Sequence, residues 1–118
     1  MSALVRVLVW YRTPDSGAET VMRACEWIND ALSGTKGFLG SELLRARSDP
    51  AGLLVMSEWE SLSSFETWEA GEAHRETTAS LRAYRDQTQP RPFEVYQVLL
   101  SGVSAGHRDG RPSRPCGA

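Results

Sequence analysis

Within the stretch SEWESLSSFETWEAGEAH stand Ser57, Trp59, Phe65, Trp68 and His74, a set of side chains able to do chemistry together. They supply a hydroxyl, an indole N–H, two aromatic walls and an imidazole that titrates near neutral pH. In a dry pocket such groups would hold an aromatic molecule, hydrogen-bond an oxygen on it and take up a proton. The same residues also have a plainer reading. Trp59 at a strand end would fill a core, Phe65 and Trp68 at helical spacing would be packing, and a lone helix histidine would be a hydrogen-bonded surface residue. Glu66, Glu69, Glu72 and Glu76 read as the solvated side of the same helical region. Arg45 and Arg47 share a strand face with Leu39, Ser41 and Leu43; they would meet a phenolate or carboxylate, or simply face water.

The elements that must position these residues follow from periodicity. Leu4–Arg12 is rich in Val and aromatics and reads as a strand, with Val5, Val7, Val9 and Tyr11 on one face and Leu4, Arg6, Leu8 and Trp10 on the other. Pro14 and Asp15 break it. Ser16 and Glu19 have the spacing of a capping box, and Val21, Ala24, Cys25, Ile28 and Leu32 carry a helix to a stop near Ser33 and Gly34. Strands over 38–47 and 53–60 are joined by the turn residues Ser48 to Gly52. Ser61 is placed to cap a helix bearing Leu62, Phe65 and Trp68, interrupted at Ala70 and Gly71. A further helix over 72–85 puts His74, Thr78, Leu81 and Arg85 on one side. After Gln89–Pro92 comes a last strand, Phe93–Leu100. The order is that of a ferredoxin-like, split βαβ α+β fold: a four-stranded antiparallel sheet with helices on one face. A domain over 1–100 and a flexible tail over 101–118, poor in large apolar residues, complete the expected organisation.

Helices on one face leave the other open, yet the first, third and fourth strands are apolar on both. A second copy of the sheet is the simplest cover, so a homodimer is expected. The 118 residues, 41% hydrophobic and 24% charged, fit one globular domain, and a net charge of -2 with no basic stripe excludes the electrostatics of nucleic-acid binding. The apolar run at the start is too short to span a bilayer and has no small-residue cleavage pattern, which predicts a cytoplasmic protein without membrane attachment. Cys25, Cys116, His74 and His107 lie at no metal-ligand or disulfide spacing, so no metal is expected.

The segment GFLGSELLRARSDPAGLLVMSEWESLSSFETWEAGEAH resembles the antibiotic biosynthesis monooxygenase family, with its Gly-Phe opening of the second strand, Trp-Glu-Ser closing the third, and Phe-x-x-Trp helix followed by His. The likeness extends loosely through PFEVYQVL, over about Leu4 to Leu100. It implies a dimeric α+β barrel with a cleft between sheet and helices. Some members oxidise anthrone-like aromatic polyketides to quinones with molecular oxygen and neither metal nor flavin; others degrade haem. In quinone-forming members the tryptophan matching Trp59 works beside an Asn four residues earlier, where this chain has Val55. A polar or aromatic residue on the following helix matches Phe65. Haem-degrading members use an early strand-one Asn, a Trp matching Trp68 and a His about ten residues later. Here strand one has no Asn and Thr78 occupies the His position, so that set is incomplete.

Molecular oxygen is a triplet and reacts slowly with closed-shell molecules until one becomes electron-rich, as an anthrone does on losing a proton. A cofactor-free oxygenase therefore needs a dry pocket, a proton acceptor and donors for the enolate oxygen. The resemblance turns Val55, Ser57 and Trp59 toward the helices. Trp59 is then the expected donor, Ser57 and His74 the proton relays, and Val55, Phe65, Trp68, Tyr11 and Tyr96 the substrate-contacting residues. An aromatic substrate and molecular oxygen are the implied partners, and no cofactor is implied. Two other readings stay open on the same fold: a polyketide cyclase or dehydratase, which needs an acid–base pair but no oxygen, and a non-catalytic protein that binds an aromatic ligand or serves as an accessory to an enzyme partner.

Overall fold

A computed structural model describes residues 3–102. The strands are β1 (Val5–Arg12), β2 (Phe38–Arg45), β3 (Gly52–Trp59) and β4 (Glu94–Gln97), and the helices are α1 (Ala18–Leu32), α2 (Leu62–Glu69) and α3 (Glu72–Thr78), with a 3-10 segment Ala79–Tyr84 after α3. The sheet order is β2-β3-β1-β4 and every pairing is antiparallel. This is the ferredoxin-like arrangement expected, with the helices on one face. Apart from Ser101 and Gly102, the expected tail lies outside the described residues.

Period-two alternation sorts the strands into two faces. The β1–β3 register pairs Val5 with Trp59, Val7 with Ser57, Val9 with Val55 and Tyr11 with Leu53, and all of these face the helices. There they meet Val21, Ile28 and Leu32 of α1, Phe65 of α2 and Leu81 of the 3-10 segment in one core. The opposite face carries Arg6, Leu8, Trp10, Leu54, Met56 and Glu58, and a salt bridge of 3.1 Å joins Arg6 to Glu58 across it. Leu44 and Tyr96 on this face are exposed.

Several element ends differ from expectation for local reasons. Gly17, at φ 99°, is the residue before α1 and no side chain caps that helix; the Ser16 hydroxyl instead lies 3.0 Å from that of Thr20, so the capping box does not form. The strand over 38–47 ends at Arg45 because Asp49 closes the loop, its carbonyl accepting from Gly52 N–H at 2.7 Å. α3 stops at Thr78 instead of Arg85. The Thr78 hydroxyl donates to the His74 carbonyl at 2.8 Å, competing for an acceptor of the α-helical ladder, and the chain tightens to 3-10. β4 ends at Gln97 because Val5, its partner there, begins β1; after one more backbone bond from Val98, Leu99 and Leu100 stand 87% and 91% exposed.

Other expectations hold in detail. Ser61 caps α2, accepting from the Ser64 N–H at 3.1 Å, which satisfies one of the free donors of the first turn. Gly37, at φ 85°, brings β2 against α2: a Cβ there would sit 2.3 Å from the Ser64 Cβ and Oγ. No other residue type fits that approach. A bulge then shifts the register between Phe38 and Gly40, so that Phe38 and Ser41, three apart, both face the helices.

Candidate active site

β3 delivers Val55, Ser57 and Trp59 to the helix side in one row, as alternation requires. Trp59 is 0% exposed. Phe38, Phe65 and Trp68 surround it, with ring centroids 5.3, 5.6 and 5.4 Å away, and Phe93 packs edge-on against Phe65 at 5.4 Å. A buried indole needs a partner for its N–H. Here Nε1 donates to the Ser57 Oγ at 3.0 Å. The expected donor, the Trp59 N–H, is thus engaged by Ser57, whose own O–H retains a donor.

The cluster encloses a chamber of about 90 Å³, lined by Val7, Val9, Val55 and Ser57 from the sheet, by Trp59, Phe65, Trp68 and Phe93, and by His74, Thr78 and Leu81 above. The His74 ring stands edge-on to Trp68, centroids 4.5 Å apart at 86°. Partial burial holds its pKa below the ordinary imidazole value; nearby Glu69 opposes this, while Arg82 and Arg75 add to it. Neutral imidazole is the form able to accept a proton. His74 also lines an open surface depression with Glu69, Glu72, Arg75, Glu76 and Arg82, so its ring stands between the chamber and solvent.

A second, larger chamber of about 380 Å³ lies between α1 and β2. Ile28, Ser41, Val55 and Leu81 line both chambers, which are therefore neighbours through a shared wall of side chains. Volume decides how the two are used. A cavity of about 150 Å³ is what benzene fills, whereas small-molecule sites run from about 300 to 1,000 Å³. At this volume the inner chamber receives a ring only when its roof, α3 and the 3-10 segment, moves outward, whereas the outer one has room for the body of a ligand as it stands.

The structure thus brings together Ser57, Trp59, His74, Val55, Phe65 and Trp68. Tyr11 shares their face of the sheet but lines neither chamber. It is core at the far end of β1, where burial, with Cys25 adding to it, pushes the phenol up to about 12. Tyr96 pairs with Arg6 and so projects from the helix-free face, 57% exposed, away from the cleft. The expected placement of both tyrosines in the cleft is corrected accordingly. Arg45 lines the outer chamber and is exposed.

Sequence reasoning passed over Asn29 and Ser41. The Ser41 hydroxyl donates to the Asn29 Oδ1 across the gap between β2 and α1, and both residues line the outer chamber. The available signal was Asn29 itself, an amide four residues after Cys25 on the inward stripe of an otherwise apolar helix side, where Asn is disfavoured unless its side chain finds a partner. Cys25, in the same wall, is a thiol that burial pushes up to about 11. It stays protonated at neutral pH. Among the described residues no three His, Cys, Asp or Glu side chains gather as a metal site, and no helix is long and apolar enough to cross a membrane.

Comparison with known proteins identifies the family and the fold. Residues 4–80 match the family model described as antibiotic biosynthesis monooxygenase. Protein SchA of Streptomyces halstedii is 27% identical over 94% of this chain and 30% of its own length. The 42.8 kDa protein in the whiE locus of Streptomyces coelicolor is 29% identical over 86% of this chain and 25% of its own length. The chain therefore spans between a quarter and a third of the curated relatives it matches. Among solved structures, a mutant of SnoaB, a cofactor-independent oxygenase from Streptomyces nogalater, superposes with a TM-score of 0.65 at 16% identity, covering 86% of this chain and 97% of that one. At that identity the likeness speaks for the fold.

Proposed function

Because the chain belongs to the antibiotic biosynthesis monooxygenase family, we propose that its cleft oxidises an anthrone-type aromatic polyketide to a quinone with molecular oxygen and no cofactor. The observation that carries this reading is the Ser57–Trp59 donor pair and the half-buried His74 in one apolar chamber, next to a second chamber large enough for a polycyclic ring. Neutral His74 takes the proton from the ring carbon opposite the carbonyl, and the electron pair left behind delocalises onto the carbonyl oxygen. The Ser57 O–H donates to that enolate oxygen. One electron passes from the carbanion to triplet oxygen, the carbon radical and superoxide so formed combine after spin inversion, and the proton held on His74 returns to make the hydroperoxide. Breaking the O–O bond with loss of the second hydrogen from the same carbon releases water and leaves the new carbonyl. Anthrone plus oxygen thus gives quinone plus water, with nothing else consumed.

Val55 stands where quinone-forming relatives carry an Asn, so the donor work falls to Ser57 in this chain. A homodimer belongs to the same reading. The helix-free face presents Leu8, Trp10, Leu54 and Met56 beside the exposed Leu44 and Tyr96; of its charged residues Arg6 pairs with Glu58, Arg12 with Asp49 and Glu94 with Arg91, while Glu42 lies opposite Met56.

The test is oxygen consumption and quinone formation by purified protein over a panel of anthrones, with His74→Gln and Ser57→Ala beside the wild type. We expect uptake above the spontaneous rate in the wild type and its loss in both variants. Turnover of a polyketide substrate without oxygen would make the cleft a cyclase or dehydratase instead. Tight ring binding with no turnover would make it a binding site.

A further inference from the structure

The outer chamber is apolar except at a few points. Glu42 contributes to its wall from β2, though its pairing with Met56 puts the carboxylate on the other face of the sheet. The remaining points fall into two groups. Glu26 and Arg45 are exposed and mark where the chamber opens to solvent. Asn29 and Ser41 are half-buried and bonded to each other across the chamber, one from α1 and one from β2. Ser41 also lines the inner chamber, so the pair stands where the two meet.

Its hydrogen-bonding inventory is incomplete in one direction. Asn29 Oδ1 accepts from the Ser41 hydroxyl, which fixes the amide so that its NH₂ is the end left over. Among the described residues that NH₂ donates to no protein acceptor, while an apolar lining makes a ligand acceptor valuable there. The placement of Ser41 is itself built in. The bulge at Leu39 brings Ser41 onto the helix side opposite Ser57; without the extra residue it could not share that face with Phe38.

We propose that Asn29, held by Ser41, is a specificity-determining anchor that hydrogen-bonds an acceptor oxygen on the part of the substrate lying in the outer chamber. The substrate is then an oxygenated polycycle: its reacting ring meets Ser57 and His74, and a phenolic or carbonyl oxygen on a neighbouring ring meets the Asn29 amide. Asn29 is a binding residue in this scheme and touches no reacting atom. The inference rests on the reading of the cleft as an aromatic-substrate site, and its test separates the two.

Isothermal titration calorimetry with two unreactive quinones makes that separation: anthraflavic acid, which carries a hydroxyl on each outer ring, and anthraquinone itself, which carries none. We expect the wild type to bind anthraflavic acid about tenfold more tightly, the worth of one good hydrogen bond in an apolar site. Asn29→Leu should abolish the preference while leaving anthraquinone affinity within about twofold. Ser41→Ala, which frees the amide to rotate, should reduce the preference and serves as the second probe if Asn29→Leu does not fold. Equal affinity of the wild type for both rings, or a preference that survives in folded Asn29→Leu, overturns this proposal and leaves the cleft reading intact. Failure of the wild type to bind either ring overturns both.

Discussion

Replacing Ser57 with Ala tests whether the Trp59 indole is held by a hydrogen bond or by packing alone. Trp59 is 0% exposed and its Nε1 donates to Ser57 Oγ at 3.0 Å, so the variant leaves a buried N–H with no acceptor. An unsatisfied donor of this kind costs about 1–3 kcal/mol. For a domain of this size each kcal/mol lowers Tm by about 4–8 °C, so a fall of roughly 5–20 °C is expected. The cost should depend on the indole. In a Trp59→Phe background no N–H is left to strand, and Ser57→Ala should then cost under about 0.5 kcal/mol, giving a coupling of about 1 kcal/mol or more. Urea unfolding at one fixed protein concentration measures both legs of the cycle, the concentration being held because assembly would add to apparent stability. Ser57→Thr, which keeps a hydroxyl, should stay near wild type. If Ser57→Ala costs the same with and without the indole, the hydrogen bond contributes nothing and the donor role assigned to Ser57 loses its support. The catalytic counterpart is a loss of about 10²-fold in kcat, typical of removing one oxyanion donor.

Three further outcomes are expected. The kcat/KM profile should rise with pH through the pKa of His74, with its midpoint below about 6.5, because burial disfavours the cation and keeps the base free to lower pH; Glu69→Gln should push the limb lower still, and a midpoint above neutrality would contradict the assignment. Gly37→Ala should cost at least about 2 kcal/mol, since a positive φ and a 2.3 Å clash with Ser64 combine, whereas Gly34→Ala at φ 91° with nothing nearby should cost only about 1; thermal melts giving equal losses would show that α2 yields to the added methyl. Met56→Glu places a second carboxylate opposite Glu42 on the helix-free face and should convert a dimer to a folded monomer in sedimentation velocity; a wild type that already sediments as a monomer would refute the dimer.

Much of this architecture was legible because it is encoded locally. Alternation in Val5–Tyr11 and Leu53–Trp59, the Ser61 cap and the break at Ala70–Gly71 each need only a few neighbouring residues, and each appears in the fold. The aromatic cluster around Trp59 was legible for the same reason, since Phe65 and Trp68 lie one helical turn apart and Trp59 closes the strand before them. What escaped depends on register between distant segments. Alternation says that Tyr96 and Val95 face opposite ways, but only the pairing of β4 with β1 says which one meets the helices. The Asn29–Ser41 contact joins a helix to a strand whose bulge sets the facing, and no periodic pattern carries that information. The Ser57–Trp59 bond is of the legible kind, because residues two apart on a strand are neighbours on one face and a hydroxyl there is the nearest acceptor for the indole.

The roof over the inner chamber has a different tenacity from its floor. The floor is the paired centre of the sheet, β1 with β3, while the roof is α3, seven residues with no buried side chain, and a 3-10 segment held down by Leu81. Lifting the roof exposes one buried leucine instead of breaking a β-ladder. Burial of Leu81 alone is worth about 1.5–3 kcal/mol, and the half-buried Tyr84 and His74 and the aromatic rings beneath add to it, so a lifted state is a minor one that still falls short of global unfolding. A rigid ring of the kind proposed then needs no global unfolding to enter or leave. Such breathing carries His74 and Thr78 with it, so the moment of exchange with bulk water is also the moment at which the base can shed its proton.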